Sequence, residues 1–186
     1  LARLKAAQDD LYFRLEEHQA KLSARIDQME HITLKKEKEL RNMIKMRTAY
    51  LPPGVIPPSA GGMIHPVNGP ITSPFGYRIH PIYGTSRFHA GLDFGVGYGV
   101  PIQAADNGVV IEAGWVGGYG NTIILDHGSG WTTLYGHASS LNVTAGQTVR
   151  RGQTVSFVGS TGNSTGPHLH FEVRYQGNPV DPLSRL

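Results

Sequence analysis

The chain has 186 residues, 17 Lys+Arg against 14 Asp+Glu, and no cysteine. That length suits one domain with a sizeable core plus an extension, and without cysteine any metal must be held by His and carboxylate rather than thiolate. No apolar run reaches the roughly 18 residues of a transmembrane helix, and a chain that opens on Leu1 reads as a fragment or mature form, so any signal peptide or membrane anchor upstream lies out of view of this sequence.

Charge and glycine are unevenly placed. Residues 1–50 carry 11 Lys+Arg and 8 Asp+Glu, whereas 51–186 carry 6 and 6. Neither Gly nor Pro occurs before Pro52. The first segment is rich in Leu, Ala, Lys, Arg and Glu, all good helix formers. Leu4, Leu11, Leu15, Leu22, Ile26 and Met29 recur at helical steps and Leu40, Met43, Ile44 and Met46 extend the stripe. The pattern predicts a helical arm over 1–50, roughly 75 Å long if unbroken. Its stripe needs a partner: a coiled coil with a second copy, with upstream sequence, or with another protein. His18, Arg25 and Lys36 interrupt a strict heptad and work against a long supercoil. Acids and bases are interleaved, so the charges read as a solvated helix face, and no nucleic-acid partner is expected.

Residues 51–63 carry four prolines and three glycines. Pro52-Pro53 and Pro57-Pro58 end the helix and favour extended backbone. This is a linker, stiffer at its start and looser near Gly61-Gly62.

From residue 64 the pattern turns to β. Short apolar runs alternate with Gly turns: VPIQAA, GVVIEAGW, NTIILDHG, WTTLYGHA, QTVSFVGS and LHFEVRY. Gly117-Gly118-Tyr119-Gly120 reads as a loop whose backbone can approach a ligand. Asp126-His127-Gly128 reads as a hairpin turn. Asn178-Pro179 and Asp181-Pro182 close the domain with turns.

Two stretches carry the chemistry. His168 and His170 sit two apart in a strand-like run, so both imidazoles share one face at roughly 6.6 Å. At that separation one ring can bind a metal while the other stands across the substrate space. His89 and Asp93 are four apart with Gly91 between them. A straight strand would hold them roughly 13 Å apart, so a bend at Gly91 is expected to fold both onto one ion. Two His and one carboxylate leave a tetrahedral zinc with its fourth position for water, which is an open site.

HAGLD at 89–93, YGHAS at 135–139 and GPHLHFEV at 166–173, in that order, resemble the lysostaphin-type zinc endopeptidases that cut peptidoglycan cross-bridges. PVNGPITSPFGYRIHP at 66–81 is similar to the opening of the same domain. The resemblance covers about 64–186. It implies a mainly β fold, an antiparallel sheet with a groove over the metal. It implies one Zn2+ per chain, held by His89, Asp93 and His170, and places His137 and His168 as the two active-site histidines that do not bind metal. A metal-activated water attacks the amide carbonyl; a neutral His orients or deprotonates it, and a protonated His stabilises the oxyanion or protonates the leaving amine. Either ring can fill either role. Tyr119, Asn121 and Arg78 are candidate substrate contacts, Arg78 through bidentate pairing with a peptide carboxylate. Each also reads as ordinary loop or strand-edge structure. Glu172 shares the face of His170 and can orient it. His80 falls in the opening run without a chemical role, and His65 and His127 are expected at the surface.

Residues 99–114 with 146–159 also resemble the hammerhead barrel of biotinyl and lipoyl carrier domains, so a barrel-like core is expected. Those carriers need a modified Lys, and none follows Lys45. The function implied is a zinc-dependent endopeptidase acting on peptidoglycan peptide, outside the cytoplasm, with periplasm first. The alternative is a non-hydrolytic envelope regulator that activates another wall hydrolase through its arm. All five site positions are filled, which argues against a lost metal.

Overall fold

The computed structural model describes residues 2–51, 55–57, 59, 62–79 and 86–186. His80, Pro52, Pro53, Pro58 and Gly61, and the side chain of Leu4, lie outside the described residues. Helix α1, Ala2–Ala49, occupies the Gly- and Pro-free stretch. Exposed i,i+4 pairs, Asp10–Arg14 at 3.0 Å and Glu17–Lys21 at 2.6 Å, lie along it. Pairs of this kind add only a few tenths of a kcal/mol each, roughly 0.3–0.5. The first part of the apolar stripe is uncovered: Leu11 is 68% exposed, Leu15 52%, Leu22 49% and Met29 62%, whereas Leu40 and Ile44 are buried.

The chain forms two compact units, Leu1–Asn42 and Met43–Leu186. The end of α1 therefore belongs with the second. There Ile44 is buried, and Arg47 donates to the Ile111 carbonyl at 2.5 Å and pairs with Glu112 at 2.6 Å.

The second unit is antiparallel β. Its strands are β1 (Ile71–Ser73), β2 (Gly76–Ile79), β3 (Ser86–His89), β4 (Leu92–Phe94), β5 (Pro101–Gln103), β6 (Gly108–Trp115), β7 (Asn121–Gly128), β8 (Trp131–Leu141), β9 (Thr148–Val149), β10 (Thr154–Val158), β11 (Leu169–Tyr175) and β12 (Asn178–Val180). A ten-stranded sheet runs in the order β1-β4-β11-β8-β7-β6-β9; β10 pairs with β5 and β8, and β12 with β11. Strands β2 and β3 form a separate hairpin. Among the described residues the sheet stays open and does not close into a barrel.

Period-two alternation sorts β11 into two faces. Leu169, Phe171 and Val173 enter the core with Tyr135, Leu125, Ile123, Leu92 and Phe94. His170, Glu172 and Arg174 take the opposite face, opposite Gly136, Leu134 and Thr132 of β8.

Two sequence expectations are corrected. Asp126-His127-Gly128 does not turn: β7 runs through Gly128 and the reversal falls at Ser129-Gly130, where φ is 52° and 82°. Two positive φ values in a two-residue loop match the twist of the strands it joins. His127 is also not a surface residue. It lies on the core side of β7, two residues from Leu125; its Nδ1–H donates to the Asn107 carbonyl at 2.7 Å and its Nε2 lies 2.7 Å from Thr133 Oγ1. Burial holds its pKa below the ordinary value, against the pull of the Asn107 carbonyl, Asp106 and Asp126. His65 is exposed, with its ring edge-on to Phe94 at 5.9 Å.

Candidate active site

The chain crosses from the small hairpin to the large sheet at Ala90-Gly91, between β3 and β4. It bends at Gly91, where a Cβ would sit 2.3 Å from the Phe171 carbonyl oxygen. Only a residue without a side chain lets β11 pass so close. The bend brings His89 Nε2 within 3.1 Å of Asp93 Oδ1. Asp93 faces His170 across the β4–β11 ladder, and His170 Nδ1 is 2.8 Å from the same carboxylate oxygen. The two imidazole nitrogens are 3.2 Å apart. Among the described residues His89, Asp93 and His170 form the group able to hold a metal ion.

Both rings are fixed from behind. His89 Nδ1–H donates to the Pro74 carbonyl at 2.8 Å, which leaves Nε2 to face the site. His170 Nε2–H donates to Glu172 Oε1 at 2.9 Å, which leaves Nδ1 to face it. Burial works to raise the Asp93 carboxyl, but hydrogen bonds and charge from His170 and His89 outweigh it and hold the group well below the carboxylate range. Burial likewise opposes the charged form of His170, and contacts to Asp93 and Glu172 override it, pushing its pKa up to about 9.

His137 and His168 stand beside this group. Strand β8 carries a bulge where Gly136 and His137 together oppose Thr122, and His137 has φ of 63°. Bulges re-aim side chains, and a non-glycine residue in the left-handed region is a mark of functional sites. His137 Nδ1–H donates to the Thr161 carbonyl at 2.7 Å. His168 Nδ1–H donates to the Gly166 carbonyl at 2.8 Å. A carbonyl only accepts, so each ring holds a proton at Nδ1, and its Nε2 is the nitrogen left for chemistry. His168 Nε2 lies 3.9 Å from Asp93 Oδ1. Burial lowers the His137 pKa to about 4; the Thr161 carbonyl opposes this and the neighbouring His170 and His168 add to it.

The profile of peptidase family M23 matches residues 87–182, which include all five of these positions. The chain belongs to peptidase family M23. It is 50% identical over 114 residues to the DD-carboxypeptidase/endopeptidase Mpg of Neisseria meningitidis serogroup B, covering 61% of this chain and 26% of that protein. The chain thus spans about a quarter of the length of the curated relatives it matches. A zinc-containing peptidase from Vibrio cholerae is 38% identical with a TM-score of 0.61, over 64% of this chain and 39% of that one. The catalytic domain of lysostaphin from Staphylococcus simulans is 36% identical with a TM-score of 0.56, over 63% of this chain and 91% of that one.

Within this M23 domain the three candidate substrate contacts fall on three different elements. Tyr119 sits on the short helical turn Gly117–Tyr119; its ring is 5.4 Å from that of His170 and its hydroxyl donates to buried Glu172 at 2.8 Å. Asn121 opens β7, and its backbone N–H donates to Thr161 Oγ1 at 3.1 Å. Arg78 is exposed on the β2–β3 hairpin and donates to Ser73 Oγ.

Sequence reasoning overlooked Thr161 and Arg174. Thr161 accepts from His137 through its carbonyl and ties Ala138 and Asn121 through its hydroxyl. Arg174 is fully buried against Glu172, with Nε donating to Oε2 at 2.5 Å. The alternation His170, Glu172, Arg174 held that signal: three polar residues on one face of a strand call for one shared environment.

Proposed function

We propose that this chain carries a zinc-dependent endopeptidase that hydrolyses peptide cross-links of bacterial peptidoglycan. The observation that carries the reading is the convergence of His89, Asp93 and His170, with His137 and His168 alongside. Three donor atoms 2.8, 3.1 and 3.2 Å apart suit three corners of a tetrahedron around zinc, which are roughly 3.3 Å apart for bonds of roughly 2.0–2.1 Å. With the His170 proton displaced on metal binding, the donor set would be two neutral imidazoles and one carboxylate, which zinc accepts and which leaves a net positive charge.

Bound zinc supplies Lewis acidity toward the scissile carbonyl and acidifies water. The chain's own residues do the rest. His137, kept neutral by burial, accepts the proton of the attacking water at Nε2. His168, half-buried and 4.7 Å from it ring to ring, would in protonated form give its Nε2 proton to the leaving amine, which balances the proton His137 takes from water. In protonated form either ring stabilises the developing oxyanion. Tyr119, Asn121 and Arg78 extend the surface offered to an extended peptide, and Tyr119 also holds Glu172.

We assign residues 1–50 to a helical arm, 51–63 to a linker and 64–186 to the catalytic domain. Among the described residues no helix is long and apolar enough to cross a membrane. The substrate places the domain outside the cytoplasm, in the periplasm or cell envelope, and the exposed stripe of α1 is the surface for self-association or an envelope partner.

The test is mass spectrometry of fragments released from purified sacculi. It compares the protein as isolated, the protein stripped with chelator and reloaded with zinc, and His170→Ala. Zinc-dependent release of peptide-cleaved fragments is expected. Zinc bound without any release would instead favour a regulator of another wall hydrolase.

A further inference from the structure

We infer that Glu172, held by Arg174 and Tyr119, is the positioning residue of the metal centre, setting which nitrogen of His170 meets the metal. This rests on the zinc reading above and extends it to residues that do not touch the ion.

An imidazole offers two nitrogens, and the hydrogen bond at one decides what the other can do. His170 Nε2 is 2.9 Å from Glu172 Oε1, on the side away from Asp93. The carboxylate accepts the Nε2 proton, so the Nδ1 lone pair is left for the metal. A ring flip would put Nδ1 against Glu172 and move the donor nitrogen. Partners of this kind behind ligating histidines are worth 10- to 100-fold in metal affinity.

The carboxylate is itself over-determined. Glu172 is completely buried, and so is Arg174. Oε1 accepts from both Tyr119 O–H at 2.8 Å and His170 Nε2–H. Oε2 accepts from Arg174 Nε at 2.5 Å, while Arg174 Nη1 donates to the Gly177 carbonyl at 3.0 Å. Replacing a buried ion pair by well-packed apolar residues of similar volume is often neutral or stabilising. Fold stability alone therefore gives no reason to keep one here. What the pair supplies is a fixed acceptor behind a ligand. Tyr119 reaches it over Gly136, the residue opposite His170 on β8; a Cβ on Gly136 would already touch the Tyr119 ring at 3.4 Å.

The experiment measures zinc affinity of the full chain by chelator competition, alongside thermal midpoints without metal. The variants are Glu172→Gln and the paired Glu172→Leu/Arg174→Leu, the second of which leaves no lone buried charge. A 10- to 100-fold loss of zinc affinity is expected in both, with His137→Ala unchanged as control. Affinities within twofold of wild type would overturn the proposal and leave a structural ion pair. Long-range 1H–15N spectra of the wild-type zinc form supply a reading that needs no variant. They should show His170 protonated at Nε2 and metal-bound at Nδ1; metal at Nε2 would overturn the assignment. A wild-type chain with no zinc affinity would instead overturn the zinc reading itself.

Discussion

His137 and His168 face one another with ring centroids 4.7 Å apart, and each gives its Nδ1 proton to a backbone carbonyl, of Thr161 and Gly166. The two rings come from β8 and from the residue just before β11, strands that are neighbours in the sheet. Both therefore present Nε2 to one space, beside an Asp93 oxygen that also meets His89 and His170.

That arrangement separates binding from proton transfer. His137→Ala removes a group that does not touch the metal donors' lone pairs. It should leave zinc affinity within about twofold of wild type. The rate should fall by about 10²–10⁴, the range for a positioned acid or base. Chelator competition and release of peptide fragments from sacculi check the two halves. Loss of zinc from His137→Ala would require the ligands to be reassigned.

Metal removal should be visible in stability as well as in rate. A ligand bound only by the folded chain adds about 2.7 kcal/mol at a free concentration 100 times its Kd. Zinc should therefore raise the urea midpoint of the wild-type chain. His170→Ala, which takes away a donor 2.8 Å from Asp93, should lose that increment. Equal midpoints with and without zinc in the wild type would count against the site.

Gly91 is the hinge on which the ligand set depends. A methyl group there would meet the Phe171 carbonyl oxygen at 2.3 Å and Glu172 Cγ at 2.9 Å. Backbone cannot step aside as a flexible side chain does. Gly91→Ala should cost about 1–3 kcal/mol, as overpacking does elsewhere, measured by urea unfolding without metal. It should also weaken zinc, because β4 carries Asp93 and β11 carries His170. Wild-type stability in this variant would show that β11 shifts freely.

Much of this centre was legible in the sequence because it rests on short-range spacing. His168 and His170 share a face by strand geometry, and the Gly between His89 and Asp93 marks a bend. The helix was legible because neither Gly nor Pro occurs before residue 52. The order of the strands across the sheet was not, since it depends on long-range pairing that no local pattern fixes. The contact between Tyr119 and Glu172 also escaped: a tyrosine in a Gly-rich loop reads as groove lining, and nothing local shows that its hydroxyl meets a carboxylate 53 residues away. His127 was misplaced because Asp-His-Gly is good turn chemistry. Its alternation with Leu125 was the better guide, and Ser129-Gly130 took the turn.

The same His127 gives the domain a pH dependence away from the metal. Burial lowers its pKa below the ordinary value of 6.5. The unfolded chain therefore binds more protons than the folded one in the window below 6.5, and stability rises with pH there. The contribution is fully present above 6.5 and is lost as pH falls toward the folded value. Neighbouring Asp126 acts in the opposite sense. Burial raises its pKa above 3.8, against hydrogen bonds from Gly128 and Thr48 and the charge of His127, so its folded form holds protons longer and its share of stability declines as pH rises through the window above 3.8. His127→Gln keeps a polar group for Thr133 and removes the titration. The difference in urea midpoint between wild type and His127→Gln, measured without metal, should grow from pH 5 to 6.5 and level off above. A difference constant across that range would show that His127 titrates alike in the folded and unfolded chains.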